Sequence, residues 1–173
     1  MANQHGDFVW YELLTTDADA AAGFYRAAIG WRSRRADASD RGYRIFGIGG
    51  TDVAGLMPIP ADAARGSMRP GWLGYIGVRD VAAAVAEIVQ AGGAQQMPPT
   101  DIPGVGRFAM VADPQGVVFY VMRGAREGTS TSFAPMQPGH CHWNELATND
   151  QAAKRRLLSE YSLSPEAERV RNM

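Results

Sequence analysis

Residues 17–31 read DADAAAGFYRAAIGW, and this stretch decides the fold. Asp17 can accept hydrogen bonds from the free backbone N–H groups of a first helical turn, and Gly30 is typical of a helix end. Between these two residues, apolar side chains recur at the spacing of one helix face, which predicts that this face is buried. The side chains concerned are Ala21, Phe24, Tyr25 and Ala28.

The segments that flank this helix are predicted to form strands. The aromatic and aliphatic run 8–14 precedes the helix and has the composition of a strand. The polar run 32–41 follows it and predicts a loop. Two further strands are predicted at 43–48 and 53–59, and the glycines between them make a hairpin turn at 49–52 plausible.

The same pattern returns later in the chain. Residues 80–93 read DVAAAVAEIVQAGG, so Asp80, the next capping residue, lies 63 positions after Asp17. The same offset pairs the glycines that end the two helices. A strand at 72–78 precedes the second helix as 8–14 precedes the first. The chain therefore contains an internal repeat, which sets its architecture.

The second half of the repeat is also predicted to continue in strands. A Pro-rich loop at 98–104 leads to a strand at 107–111, and a turn at 113–116 leads to the last strand at 117–122. The segment 61–71 is predicted to link the two halves. Each half is therefore one strand, one helix and then further strands.

A third copy of the pattern starts near the C-terminus. Residues 143–146 read WNEL where residues 10–13 read WYEL, and the match stops after about Lys154. A strand at 141–147 and a helix at 150–161 are predicted there, and no further strands follow them.

Composition excludes several classes of function. The 173 residues carry 17 Lys and Arg against 18 Asp and Glu, a net charge of −1, which argues against binding nucleic acid or a membrane surface by bulk charge. Cys141 is the only cysteine, so an intrachain disulfide is impossible and a cytoplasmic, reducing location is expected. No apolar run approaches the roughly 20 residues of a membrane span.

These features together resemble the vicinal oxygen chelate superfamily, which includes glyoxalase I, bleomycin-resistance proteins and extradiol dioxygenases. Each motif is weak alone, but their order and the internal repeat make the combination specific. The chain looks most like the two-domain, glyoxalase-like hydroxylase branch of actinobacterial type, cut short within its second domain. The residues that carry the resemblance are Asp17, Phe24-Tyr25, Ile29-Gly30-Trp31 and Asp113-Pro114-Gln115-Gly116.

The resemblance implies an α+β fold in which two βαβββ units form a curved mixed sheet around a ligand-holding cleft. Both helices are expected on the convex side. A complete domain is expected at 7–123, with units at about 7–60 and 71–123. Residues 124–139 are then a linker, and 140–173 are the partial start of a second such domain.

The resemblance also indicates where a metal would be bound, and those positions lack ligands. Enzymes of this superfamily place a His or Glu where this chain has Trp10 and Leu73, and a Glu where it has Tyr120. The strand 53–59 contains no His, Asp or Glu. Because an indole or an isobutyl group gives a hard cation no donor, the resemblance predicts that no metal is bound.

Glu12 is the one carboxylate on the predicted cleft strands. Side chains alternate along a strand, so Glu12 should share a face with Trp10 and Leu14. One interpretation is a buried acid with a raised pKa that acts as a general base or binds a donor group of a ligand. The other is a structural Glu bonded to the backbone or to an Arg.

Several other side chains are candidates for a ligand pocket. An aromatic, apolar lining suits a flat or aromatic small molecule, although the same residues could simply fill a core. Arg107 could face an anionic ligand or solvent. The predicted lining is Trp10, Met57, Leu73, Tyr75 and Tyr120.

The run His140-Cys141-His142 offers ligand types that suit zinc. Adjacent residues on a strand point to opposite faces, so the three cannot easily reach one ion. We interpret them as entry residues of the partial third copy. The tail could pair with a second chain in a homodimer, because Trp143 and Leu146 need burial, or it could stay undocked.

Two classes of function remain. The first is a metal-free protein, similar to bleomycin-resistance proteins, that binds a small hydrophobic or aromatic molecule without a cofactor. The second is a glyoxalase-like lyase or a hydroxylase or dioxygenase, which uses a divalent metal or Glu12 as a base. Loss of the metal positions favours the first class.

Overall fold

The computed structural model describes residues 3–36, 42–65, 68–126 and 128–145. The elements follow one another as strand, helix and three strands, a short helix, and again strand, helix and three strands. They are β1 (Phe8–Thr15), α1 (Ala18–Ile29), β2 (Arg32–Arg35), β3 (Arg44–Ile48), β4 (Thr51–Pro58), α2 (Ala61–Arg65), β5 (Gly71–Gly77), α3 (Val81–Gln90), β6 (Ala94–Ile102), β7 (Gly106–Ala112) and β8 (Val118–Gly124).

The strands form a mixed sheet in the order β2-β3-β4-β1-β5-β8-β7-β6. β1 pairs with β4, and β5 with β8, in parallel. The remaining described pairs, β2 with β3, β3 with β4, β6 with β7 and β7 with β8, are antiparallel. The predicted α+β class with a mixed sheet is therefore confirmed.

The chain divides into two compact units. The first, here called the Trp10 unit, comprises 10–74 and 130–143. The second, the Tyr75 unit, comprises 75–129 together with the described residues 3–9 and 144–145. In the described part of the chain, no helix is long and apolar enough to cross a membrane.

The core of the Trp10 unit lies between α1 and one face of its strands. Asp17 accepts hydrogen bonds from the backbone N–H groups of Asp19 and Ala20, and Gly30 ends α1 in the left-handed conformation at φ 84°. The buried residues of this core are Leu13, Trp31, Phe46, Val53, Ala54 and Leu56. From α1, the side chains of Ala18, Ala21, Ala22 and Tyr25 pack against them.

The predicted buried face of α1 was only partly right. Ala21 and Tyr25 pack on the core, but Phe24 and Ala28 are exposed. The helix is turned so that the small side chain of Ala18 packs instead, and Phe24 contacts the edge of the Tyr25 ring with centroids 5.1 Å apart. Ala18 and Ala22 precede Tyr25 by seven and three residues, a spacing that puts all three side chains on the face of α1 that packs on the core.

The Tyr75 unit has the equivalent arrangement around α3. Asp80 accepts from the backbone N–H groups of Ala82 and Ala83 and so begins the helix. The packed face of α3 meets alternate residues of β5, β7 and β8. The buried residues are Ile76, Val78, Val81, Ala84, Val85, Ile88, Ala109, Val111 and Val121.

Three segments predicted as loops contain regular elements. β2 occupies part of 32–41, and all four of its side chains are exposed, so no hydrophobic pattern marks it. Backbone pairing with β3 and an ion pair from Arg34 to Asp52 hold it in the sheet. β6 occupies the Pro-rich run, and its pairing with β7 shifts register between Met97 and Thr100, where the prolines lie. The linker 61–71 begins with the short helix α2, which buries no residue.

The predicted strand at 141–147 is wrong where it is described. Cys141 forms a single isolated bridge with Phe133, and 142–145 have no regular structure. The predicted helix at 150–161 lies outside the described residues. Much of the predicted linker 124–139 also packs on the Trp10 unit, because the Trp31 indole Nε1 donates to the Gly139 carbonyl at 2.7 Å.

Candidate functional site

β1 brings a carboxylate onto the sheet face opposite α1 in the Trp10 unit. Leu13 belongs to the α1 core, and because side chains alternate along a strand, Trp10, Glu12 and Leu14 lie on the other face. β4 pairs with β1 in register so that Gly55 lies beside Glu12. The predicted face of Glu12 is therefore correct.

Glu12 belongs to a chain of three polar side chains. Its side chain is buried, at 3% exposure. The Trp10 indole Nε1 donates to the Tyr43 hydroxyl oxygen at 3.0 Å, and the Tyr43 hydroxyl hydrogen-bonds the Glu12 carboxylate. The tyrosine thus accepts from one neighbour and donates to the other. A buried carboxylate that is fixed in this way has a defined position and a defined partner.

Gly55 makes room for this arrangement. A Cβ atom at this position would collide with the Tyr43 hydroxyl and the adjoining ring carbon, and it would lie 3.1 Å from the Trp10 Nε1 atom. Gly55 pairs with Glu12 on β1 and with Ile45 on β3, so it is at the centre of this face. The absent side chain is what lets the tyrosine reach the carboxylate.

The electrostatics of the cluster keep the tyrosine neutral. Burial raises the pKa of the Tyr43 hydroxyl well above its usual range, and the charge of Glu12 and the hydrogen bond to it raise it further. The hydrogen bond from Trp10 acts in the opposite direction but is outweighed. Tyr43 therefore remains a hydrogen-bond donor to Glu12 across the physiological pH range.

A carboxylate in this setting has two chemical capacities. It has about four acceptor positions on two oxygens, so Tyr43 and a ligand donor can bind it together. It is also a group that can take a proton from a bound molecule. Met57 and Leu14, paired in register next to Glu12, give the same face apolar surface.

The Tyr75 unit holds a separate aromatic cluster. Tyr75 on β5 and Tyr120 on β8 are register partners, and their rings stack with centroids 4.1 Å apart and planes at 16°. Phe108 on β7 lies 6.0 Å from Tyr120 and 6.4 Å from Tyr75, centroid to centroid. Since Ile76 and Val121 belong to the α3 core, alternation puts these rings on the face opposite α3.

The other predicted site residues are placed as follows. Met57 on β4 is half-buried. Leu73, in the part of β5 that precedes Tyr75 and belongs to the Trp10 unit, is also half-buried. Arg107 is exposed and pairs with Asp101 at 2.6 Å. It shares its face with Ala109 of the α3 core, so it is not brought together with the rings of Tyr75 and Tyr120.

Sequence reasoning missed Tyr43, Gly55 and Phe108. Tyr43 lies outside any strand, and its role depends on a contact across 33 positions that no local pattern encodes. A signal for Gly55 was available, because a glycine inside a strand often marks close approach of another group. Phe108 alternates with Ala109 along β7, which could have marked it as facing away from α3.

The run 140–142 is engaged in local hydrogen bonds. The His140 Nδ1 atom is 2.6 Å from the Thr131 carbonyl oxygen, and the His142 Nε2 atom is 2.7 Å from that of Gln137. The Cys141 thiol bonds the Trp143 carbonyl. In this part of the structure the three side chains hold a loop together.

Comparison with known proteins agrees with the fold. The family model of the Glyoxalase/Bleomycin resistance protein/Dioxygenase superfamily matches residues 7–121. The chain belongs to this superfamily, and the resemblance found in the sequence is confirmed at that level.

Relatives of the chain include proteins from mycobacteria and streptomycetes. It is 37% identical over 126 residues to "Putative glyoxylase CFP32" of Mycobacterium tuberculosis, covering 72% of this chain and 47% of that protein. It is 33% identical over 153 residues to "Anthracycline biosynthesis protein DauV" of Streptomyces sp., covering 82% and 54%. The chain therefore spans about half the length of these curated relatives.

Solved structures share the fold. A methylmalonyl-CoA epimerase in complex with methylmalonyl-CoA and NH4+ superposes with a TM-score of 0.54 at 22% identity, covering 73% of this chain and 99% of that one. A Streptomyces coelicolor methylmalonyl-CoA epimerase variant superposes with a TM-score of 0.53 at 20% identity, covering 73% and 99%. At these identities, the similarities show that the fold is shared.

The donor set at the superfamily's metal positions does not fit a metal ion. The Trp10 indole N–H is a donor aimed at Tyr43, and Leu73 has no donor atom. The Tyr120 ring is stacked on Tyr75. Within 3–36, 42–65, 68–126 and 128–145, no three His, Cys, Asp or Glu side chains are grouped so that they could hold a metal ion.

Proposed function

We propose that the Trp10 unit binds a small, flat, apolar molecule through a hydrogen-bond donor that the molecule gives to Glu12, without a metal ion. The observation that carries this proposal is the buried Glu12 carboxylate, to which Tyr43 is hydrogen-bonded. The resemblance adds the expectation that the metal ligands are missing at Trp10, Leu73 and Tyr120. We place this activity in a reducing compartment such as the cytoplasm, as expected for a chain with Cys141 as its only cysteine.

The chemistry of the face selects the class of ligand. Trp10 and Met57 provide aromatic and polarisable surface on the side of Glu12. A phenol or enol has an O–H that a buried carboxylate accepts, and a charged acceptor strengthens the bond. The relative DauV is named as an anthracycline biosynthesis protein, which supports an aromatic small molecule as the ligand.

A second aromatic surface lies in the Tyr75 unit and consists of Tyr75, Tyr120 and Phe108. Their stack in the Tyr75 unit offers an aromatic surface to a flat ligand. We propose that these three side chains form a second aromatic binding surface within the Tyr75 unit, and that Leu73 adds apolar surface within the Trp10 unit. Arg107 has no place in this ligand set, because it lies on the face of α3.

The test is a thermal-shift screen in a buffer that contains a metal chelator. Naphthol should raise the melting temperature in a saturable way, because a ligand that binds only the folded state stabilises it. Methoxynaphthalene, which keeps the rings but lacks the O–H donor, is the matched control and should have a much smaller effect. An equal shift from both compounds would contradict the role of Glu12.

A second candidate is an enzyme of the glyoxalase or hydroxylase type in which Glu12 is a general base. The observation that favours it is the fixed position of Glu12, since a base must be held against the proton it removes. Proton exchange at the carbon next to a bound ketone, followed by NMR in deuterated water, would reveal such a base. Glu12→Gln would remove it.

We also propose that the chain forms a homodimer through its C-terminal segment. Trp143 is 61% exposed, a large aromatic side chain that a partner could bury. Trp143→Gln should shift the mass in solution from dimer to monomer. Met136→Gln is the control, because Met136 is 87% exposed in the same segment and is not part of the proposed contact.

A further inference from the structure

Two arginines face each other across β7 and β8 in the Tyr75 unit. Arg107 and Arg123 are register partners in this antiparallel pair. Ala109 and Val121, two residues away on each strand, belong to the α3 core, so both arginines lie on the face of α3. Like charges directly opposite on adjacent strands are destabilising, because their Cβ atoms are only about 4.5–5.5 Å apart.

Each guanidinium forms a hydrogen bond with a neighbouring residue. The Arg123 Nη1 atom donates to the Arg79 carbonyl oxygen at 2.6 Å. The Arg107 Nη1 atom donates to the Asp101 carboxylate at 2.6 Å. Neither bond uses all five N–H donors of a guanidinium, and the planar fork is suited to oxyanions. Each arginine therefore has donors that these two bonds do not use.

The arginines line a groove of about 270 Å³. Ile102, Gly106 and Ala125 supply its apolar wall, and Asp101 is the one carboxylate among the lining residues. The lining itself carries two positive charges and one negative charge, and the Asp80 carboxylate at the start of α3 is close enough to interact with both arginines. The lowered pKa of the Asp80 carboxyl, caused first by the backbone N–H groups of Ala83 and Ala82, is also favoured by Arg123 and Arg107.

We propose that this groove binds an oxyanion, a phosphate or carboxylate group carried by a small molecule. The group would bridge Arg107 and Arg123 and relieve the repulsion between them. A charge-assisted contact to a guanidinium is stronger than a neutral hydrogen bond, and Arg pairs with such groups through two parallel bonds. The site is distinct from the face of Glu12 and does not depend on the function proposed there.

The experiment is an NMR titration of the full chain with inorganic phosphate at constant ionic strength, maintained with sodium chloride. The amide signals of Gly106 and Gly124, which line the groove, should move in a saturable way. The amide signal of Gly55 in the Trp10 unit should not. Arg107→Gln and Arg123→Gln should each weaken phosphate binding about tenfold or more, as expected when one charged partner is lost.

Arg34→Gln is the matched control. Arg34 is also an exposed arginine on a strand, and it forms an ion pair with Asp52 at 2.7 Å. Its loss should leave the phosphate affinity unchanged. The native spectrum away from the groove reports that each variant is folded, and Arg123→Lys, which keeps the charge, should bind with intermediate affinity. Unchanged affinity in both glutamine variants, or equal shifts with chloride alone, would overturn the proposal.

Discussion

The sequence around Tyr43 does not indicate a role for this residue. In the structure, Tyr43 connects Trp10 and Glu12, the two residues that sequence analysis placed on the ligand face. It accepts from Trp10 and donates to Glu12. Within this cluster one partner of Glu12 is a tyrosine, a residue that neither interpretation of Glu12 from the sequence had included. A carboxylate can accept from more than one donor, so the hydrogen bond from Tyr43 is compatible with a further hydrogen bond to Glu12.

Gly55→Ala tests the space that this cluster needs. The added methyl group would collide with the Tyr43 ring, so the variant should lose about 1–3 kcal/mol of unfolding free energy, as overpacking typically costs. Chemical denaturation measures the loss. Gly23→Ala is the control, because nothing lies within 4 Å of its Cβ position in α1 and alanine should stabilise the helix by about 0.5–1 kcal/mol.

The raised pKa of Tyr43 predicts how stability depends on alkaline pH. The folded state holds the phenol neutral, so its contribution is complete below the ordinary phenol pKa of about 10 and is lost as the pH rises toward the higher folded value. Stability should therefore fall above pH of about 10, and less so in Tyr43→Phe. Denaturation midpoints measured across this range for both proteins check the prediction, and equal slopes would contradict it.

At the scale of elements, the two long helices were predictable and the edges of the sheet were not. Asp17 and Asp80 carry the capping signal in their own side chains, and the structure uses both as expected. β2 and β6 lie at the two ends of the strand order, where exposed side chains show no alternation and the backbone pairing supplies the structure. The local sequence of such a segment does not show whether its backbone will form hydrogen bonds with another strand.

The segment 130–143 was expected to be largely linker, but it packs on Trp31. Gly139 has φ 76°, and a Cβ there would collide with the Ile48 side chain. Gly139→Ala should therefore weaken this packing and lower unfolding free energy by about 1–3 kcal/mol. Gly128→Ala, in the same predicted linker but with open space around it, is the control. Equal denaturation midpoints for the two variants would show that the packing contributes nothing.

At the scale of the whole molecule, the sequence predicted the superfamily and the α+β class. Trp10 and Glu12 were assigned to one face by strand alternation alone, and the structure agrees. Arg107 was expected to face either an anionic ligand or solvent, and the register of β7 places it, exposed, on the face of α3. A one-residue difference in strand register decides the face, and turn composition does not fix that register.

The central claim is that Glu12 binds a ligand donor without a metal ion. Isothermal titration calorimetry with naphthol, in the presence of a chelator, tests it on the native chain and on Glu12→Gln. We predict saturable binding to the native chain and an affinity at least about tenfold weaker in the variant, since a charged acceptor is replaced by a neutral amide. Equal affinities, or binding that appears only when a divalent ion replaces the chelator, would contradict the claim.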